Sequence, residues 1–116
     1  MIPKHKPYRN RRLLDLCHEI QECQVGIPGV CIGTSAHGCE PAHGPKSLLD
    51  GGGAMKSSDL PAAACHPCHV ELDQGKRLSR EERHVYWLIA QARTMLEFLR
   101  RGWIKVVPKS QRAGLS

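Results

Sequence analysis

The sequence is short of the residues that ordinarily build a core. Only two Trp, two Tyr and one Phe occur among its 116 residues. A chain of that size makes one domain and buries a modest share of its surface, so packing alone is a weak account of its stability. No run approaches the roughly 18 apolar residues of a membrane span, and no membrane association is expected. The basic opening stretch lacks a following apolar segment, so no secretory signal is expected either. The glycine run 51–53 is not followed by Gly-Lys-Ser/Thr and is therefore no phosphate-binding loop. There is no internal repeat, and the only asparagine is Asn10.

What is present in excess is Gly, with 11 residues, Pro, with 8, and Cys, with 6. A loop-rich chain with many cysteines is held by disulfides or by a metal. A reducing cytoplasm is the expected compartment, and there clustered cysteines bind metal more often than they pair.

Charge is distributed unevenly. The net charge is +6, yet residues 1–12 and 100–116 each carry five Lys or Arg and no acid, while 13–99 is net negative. Basic ends suit a polyanion, most simply nucleic acid; solvated tails explain them equally well. The division expected is a basic arm over 1–10, a domain over 11–107 and a basic tail over 108–116.

Apolar spacing predicts a short helix over 11–20. Val25, Ile27 and Val30 favour strands, and Pro28-Gly29 fits the centre of a type II turn, so 22–32 reads as a tight hairpin with Cys23 and Cys31 at its ends. Residues 33–58 read as loop. A helix is expected to start at 65, with Pro67 in its first turn and Gly75 as its stop. Ser79 and Glu82 form a capping box. After it Val85, Leu88, Ile89, Ala92, Leu96 and Leu99 recur at helical spacing, as a face for core or dimer packing, and Gly102 ends that helix. Residues 103–107 read as a short strand.

Cys65-x-x-Cys68 puts two thiolates on one turn, and Cys23 and Cys31 supply a second pair. Together they form the donor set of a closed, structural Zn²⁺ site with Zn–S of about 2.3 Å. Cys17 belongs to the apolar face of the first helix. Cys39 is either a spare thiol or a competitor for the metal. His69 and Asp73 are one helical turn apart and could share a divalent cation; alternatively His69 packs near the zinc and Asp73 is a solvated acid.

Residues 65–69, Cys-His-Pro-Cys-His, resemble the start of the last helix in the HNH, or ββα-metal, endonucleases. The likeness to their short phage and prophage branch extends through Cys23-Gln24-Val25, Ile27-Pro28-Gly29-Val30-Cys31, Ala42-His43, Lys56, Asp59-Leu60 and Ala64 to Asp73, over about 11–107. It implies an α+β, treble-clef-like domain with a four-cysteine zinc and an additional long C-terminal helix. It implies an endonuclease acting on nucleic acid, double-stranded DNA foremost, with His43 at a strand end as general base and His69 and Asp73 holding a catalytic Mg²⁺, Mn²⁺ or Ni²⁺. The family's Asn is absent, and Asp59 is the nearest stand-in. Ala42 stands where many members carry a further acidic ligand. His37 is an alternative base. His66 and His84 are read as outward-facing polar residues. Lys46, Lys56 and the basic ends would contact phosphates. The competing readings are a non-catalytic zinc module that binds nucleic acid and an interaction adaptor, with a homodimer formed through the long helix.

Overall fold

The computed structural model describes residues 10–44 and 60–111. The first helix, α1 (Arg11–Cys17), starts where the Asn10 side chain accepts a hydrogen bond from the Arg12 N–H at 3.1 Å, satisfying one of the donors a helix start leaves open. It is shorter than the expected 11–20. Beyond Cys17 the chain continues in i to i−3 bonds, Glu19 to Leu16 and Ile20 to Cys17. This tighter winding still turns Leu13, Cys17 and Ile20 inward, where all three are buried.

Residues 22–34 double back on themselves without becoming a ladder. A single antiparallel bridge joins Glu22 to Thr34, and the Cys23 N–H donates to the Gly33 carbonyl at 2.8 Å. Pro28-Gly29 makes the expected turn, with Gly29 at φ 75° and Val30 N–H returning to Ile27 at 3.1 Å. The hairpin expected over 22–32 is thus reduced to one bridge. The reason is competition: N–H groups of Val25, Gly26 and Ile27 are aimed at cysteine sulfurs rather than at a facing strand.

The regular sheet lies elsewhere. Strand β1 (Glu40–His43), within the stretch read as loop, pairs antiparallel with β2 (Pro61–Ala64), in the register Glu40 with Ala64, Pro41 with Ala63, Ala42 with Ala62 and His43 with Pro61. Neither Pro nor Ala favours strands. Here tertiary packing overrides propensity. Every β2 residue is buried, and small side chains admit layers on both faces. Alternation sends Ala62 and Ala64 into one core with Val25, Ile27, Cys65, Cys68 and Trp87, and Ala63 into a second with Leu13, Cys17, Ile20, Cys39 and Phe98.

Helix α2 (His66–Gln74) starts on Cys65 with Pro67 in the first turn and stops at Gly75. The buried carboxylate of Glu71 accepts from the N–H groups of Arg77 and Leu78 at 3.0 and 3.1 Å and so shapes the link to the next helix. A Cβ at Gly75 would overlap that carboxylate.

Helix α3 (Arg80–Arg100) carries the capping box: Ser79 Oγ accepts from Glu82 N–H, and Glu82 Oε1 from Ser79 N–H. It ends in a Schellman arrangement, with Gly102 at φ 75° and the Trp103 N–H donating to the Phe98 carbonyl. Its buried residues are Trp87, Ala90, Thr94 and Phe98. Trp87 Nε1 donates to the Ala42 carbonyl at 2.9 Å. Thr94 Oγ1 accepts from the Ala63 N–H at 2.9 Å. The helix is therefore pinned to both strands, and the outer edge of β2 is closed by Thr94 and by the Gln24 N–H on the Ala63 carbonyl.

Two further expectations are corrected. Of the core or dimer packing expected for the face of Val85, Leu88, Ile89, Ala92, Leu96 and Leu99, the core role is not found: the face is exposed among the described residues. The strand expected over 103–107 does not form, because Trp103 and Ile104 are drawn back onto the end of α3, with Trp103 6.1 Å from the Phe98 ring and beneath the Arg101 guanidinium.

Candidate metal centre and the adjoining histidines

Cys23 and Cys31 come from the folded-back segment, Cys68 from α2 and Cys65 from its cap. One donor atom from each lies within 4.8 Å of the others. A tetrahedron with Zn–S of about 2.3 Å needs sulfur separations of roughly 3.8 Å, which this cluster meets with small adjustments. The surroundings also fit thiolates. The Cys65 N–H donates to Cys23 Sγ at 3.3 Å and the Gly33 N–H to Cys31 Sγ at 3.2 Å. Backbone donors at Val25 and Gly26 serve Cys23, and Ile27 serves Cys68. Such donors spread the negative charge of a Cys₄ site and orient its ligands. Without a cation, burial pushes the Cys68 thiol far above its ordinary range, so the enclosed side of the cluster favours protonated sulfur until a metal displaces the protons. The four cysteines thus fit a structural zinc.

Cys17 and Cys39 are not part of it. Both are fully buried in the second core, and burial above all pushes each thiol up to about 12. Cys39 is a core residue, not a competing ligand.

Beside the cysteines the structure assembles a group the sequence reading missed. Glu40, the first residue of β1, faces α2 and accepts from two imidazoles: His69 Nδ1 to Oε1 at 2.7 Å and His66 Nδ1 to Oε2 at 3.0 Å. The His69 hydrogen bond, foremost, holds the Glu40 carboxyl below its usual range. His66, expected to point away, is tied to this carboxylate although exposed. A signal existed in the sequence: His66 and His69 share a helix face at i and i+3. Its partner lay hidden in a segment read as loop.

His43 ends β1 and is half-buried. Alternation along the strand puts Glu40 and Ala42 on one face and Pro41 and His43 on the other. Asp73 is exposed on α2, four residues beyond His69. His37 lies in an exposed turn, and His84 is half-buried on α3. Asp59, Lys46 and Lys56 lie outside the described residues, as do residues 1–9 and 112–116 of the basic ends. Among the described residues, only the four cysteines bring three or more metal donors within 4.8 Å. His69, Asp73 and Glu40 are not a ready-made three-ligand cage.

The described residues form a small α+β structure, with a two-stranded antiparallel sheet and three α-helices, organised around four cysteines placed to bind a metal ion. No described helix is long and apolar enough to cross a membrane. No family model and no curated protein matches the sequence. Among solved structures it is similar to a "putative bacteriophage protein" from Escherichia coli str. K-12 substr. MG1655, with 31% identity and a TM-score of 0.57, over 77% of this chain and 98% of that one. At that identity and coverage the chain belongs to the same family as the E. coli protein.

Proposed function

We propose that this is a phage- or prophage-type endonuclease of the HNH kind, which hydrolyses phosphodiester bonds in double-stranded DNA on a scaffold held by zinc. The observation that carries the reading is the 2.7 Å contact of Glu40 with His69 Nδ1. A carboxylate on one imidazole nitrogen fixes the tautomer and leaves the other nitrogen's lone pair outward, the usual preparation of a metal-ligating histidine. Glu40 is then a positioning residue that also clasps the strand bearing His43 to helix α2.

His69 Nε2 and an Asp73 oxygen would hold a Mg²⁺, Mn²⁺ or Ni²⁺ ion, with water in the remaining positions. When bound, that ion would supply charge stabilisation at a phosphoryl oxygen and at the leaving 3′-oxygen. His43 takes a proton from the attacking water as its oxygen bonds to phosphorus; the bond to the 3′-oxygen breaks and that oxygen takes a proton from solvent, giving a 5′-phosphate and a 3′-hydroxyl. The basic ends would neutralise phosphates without reading sequence.

One observation favours a second reading, a non-catalytic zinc module that binds nucleic acid. The pleat of β1 turns His43 away from Glu40, and the two backbone positions are about 10 Å apart. Supercoiled plasmid incubated with the zinc-loaded protein and each ion separates the two. Nicking that needs the ion and disappears in both His43→Ala and His69→Ala is expected. DNA binding without nicking, unchanged in those variants, would establish the module instead.

A further inference from the structure

Helix α3 has two apolar stripes, and the described residues cover only one. Trp87, Ala90, Thr94 and Phe98 are buried against the sheet and α1. The second stripe is Val85, Ile89, Ala92, Leu96 and Leu99, at steps of four, three, four and three. That is the a/d spacing of a coiled-coil seam. Val85 is 54% exposed, Ile89 47%, Leu96 52% and Leu99 46%, and Ala92 is exposed as well. At about 100° per residue the two stripes lie on opposite sides of the helix, so the seam cannot turn inward without expelling Trp87 and Phe98. It runs for about 20 Å. A helix packed on one side only would carry polar residues there.

We infer that this seam is the interface of a homodimer, in which α3 packs antiparallel against α3 of a second copy about a two-fold axis near residues 90 and 91. The pattern is self-complementary about that point. Reversed on itself, it sets Val85 opposite Leu96 and Ile89 opposite Ala92, a large residue against a small one at the centre. The same seam residues serve both copies, as a closed two-fold interface requires. Charge chooses the direction. Within about 60° of the seam centre the charged residues are Glu81 and Glu82 in the first turn and Arg100 at the end. Antiparallel packing brings the acidic end of one helix to the basic end of the other and opposes the helix dipoles; parallel packing sets like charges together. Arg93, at the rim, already donates to the Gln24 carbonyl of its own domain. The seam lies on the side of α3 opposite the buried stripe, and neither Glu40 nor His69 is part of it. This inference is independent of the nuclease reading.

Sedimentation equilibrium of the full zinc-loaded chain over a concentration series tests it. The expected mass is twice the 12.9 kDa of one chain. The double variant Ile89→Glu with Leu96→Glu changes residues exposed in the monomer, so helicity and one zinc per chain should persist while the dimer weakens by about 100-fold or more. Arg100→Glu should weaken it about tenfold, and adding Glu81→Arg to the same chain should restore it. A wild-type protein that stays monomeric overturns the inference. So does a dimer that survives the double variant. Failure of Glu81→Arg to rescue overturns the antiparallel arrangement.

Discussion

Thr94 offers a sharp separation between packing and hydrogen bonding. It is fully buried on α3, where its hydroxyl donates to the Ala90 carbonyl at 2.7 Å and accepts from the Ala63 N–H at 2.9 Å. The Ala63 N–H and carbonyl point to the edge of β2 away from β1, and the side chain lies inside the second core. Thr94→Val keeps the shape and removes the acceptor that this N–H has among the described residues. Leaving a buried donor unsatisfied costs about 1–3 kcal/mol, against a smaller gain from burying a methyl in place of a hydroxyl. Thr94→Ser keeps the acceptor and deletes one methyl, a loss of about 1 kcal/mol. The expected order of stability is therefore Thr above Ser above Val. With roughly 4–8 °C of Tm per kcal/mol for a domain slightly smaller than this, Val should melt about 5–15 °C below wild type. Urea titration with constant slope measures the difference, and hydrogen exchange should show the Ala63 amide losing protection in the Val variant alone. Should Val prove as stable as Ser, the hydroxyl is only filling space, and the edge closure described for β2 is wrong.

Chelation should unfold the region around the cysteines, because Cys65 and Cys68 sit inside the first core and structural zinc contributes apparent free energies of about 10–16 kcal/mol in small domains; metal analysis should give one zinc per chain, lost in Cys65→Ser, and undiminished helical ellipticity in zinc-free protein would contradict it. Cys17 and Cys39, pushed up to about 12 by burial, should resist iodoacetamide in the folded, zinc-loaded protein. Because their folded pKa values exceed the ordinary 9.0, the stability linked to them is complete below pH 9 and declines from there toward pH 12; stability rising over that interval, read by denaturant midpoint, would refute the assignment.

Some of this was legible in the residues alone. Cysteine chemistry is local: a C-x-x-C on a helix start and a second pair across Pro28-Gly29 bring donors close whatever surrounds them. Caps are local as well, so Ser79, Glu82, Gly75 and Gly102 marked helix ends correctly. Three features were not legible. Strand β2 has the sequence Pro-Ala-Ala-Ala, which says nothing about strands until two layers close on it. The buried face of α3 was not legible because its exposed seam has the stronger apolar period, and only the neighbours show which side a helix with two apolar stripes turns inward. Glu40 reaches His69 across 29 residues of chain, through a strand whose pairing is decided by distant segments. Periodicity, caps and metal-ligand spacing are properties of adjacent residues and were determined by the sequence itself. Which face is covered, and which carboxylate meets which imidazole, depends on contacts between segments far apart in the chain, and only the tertiary structure decided those.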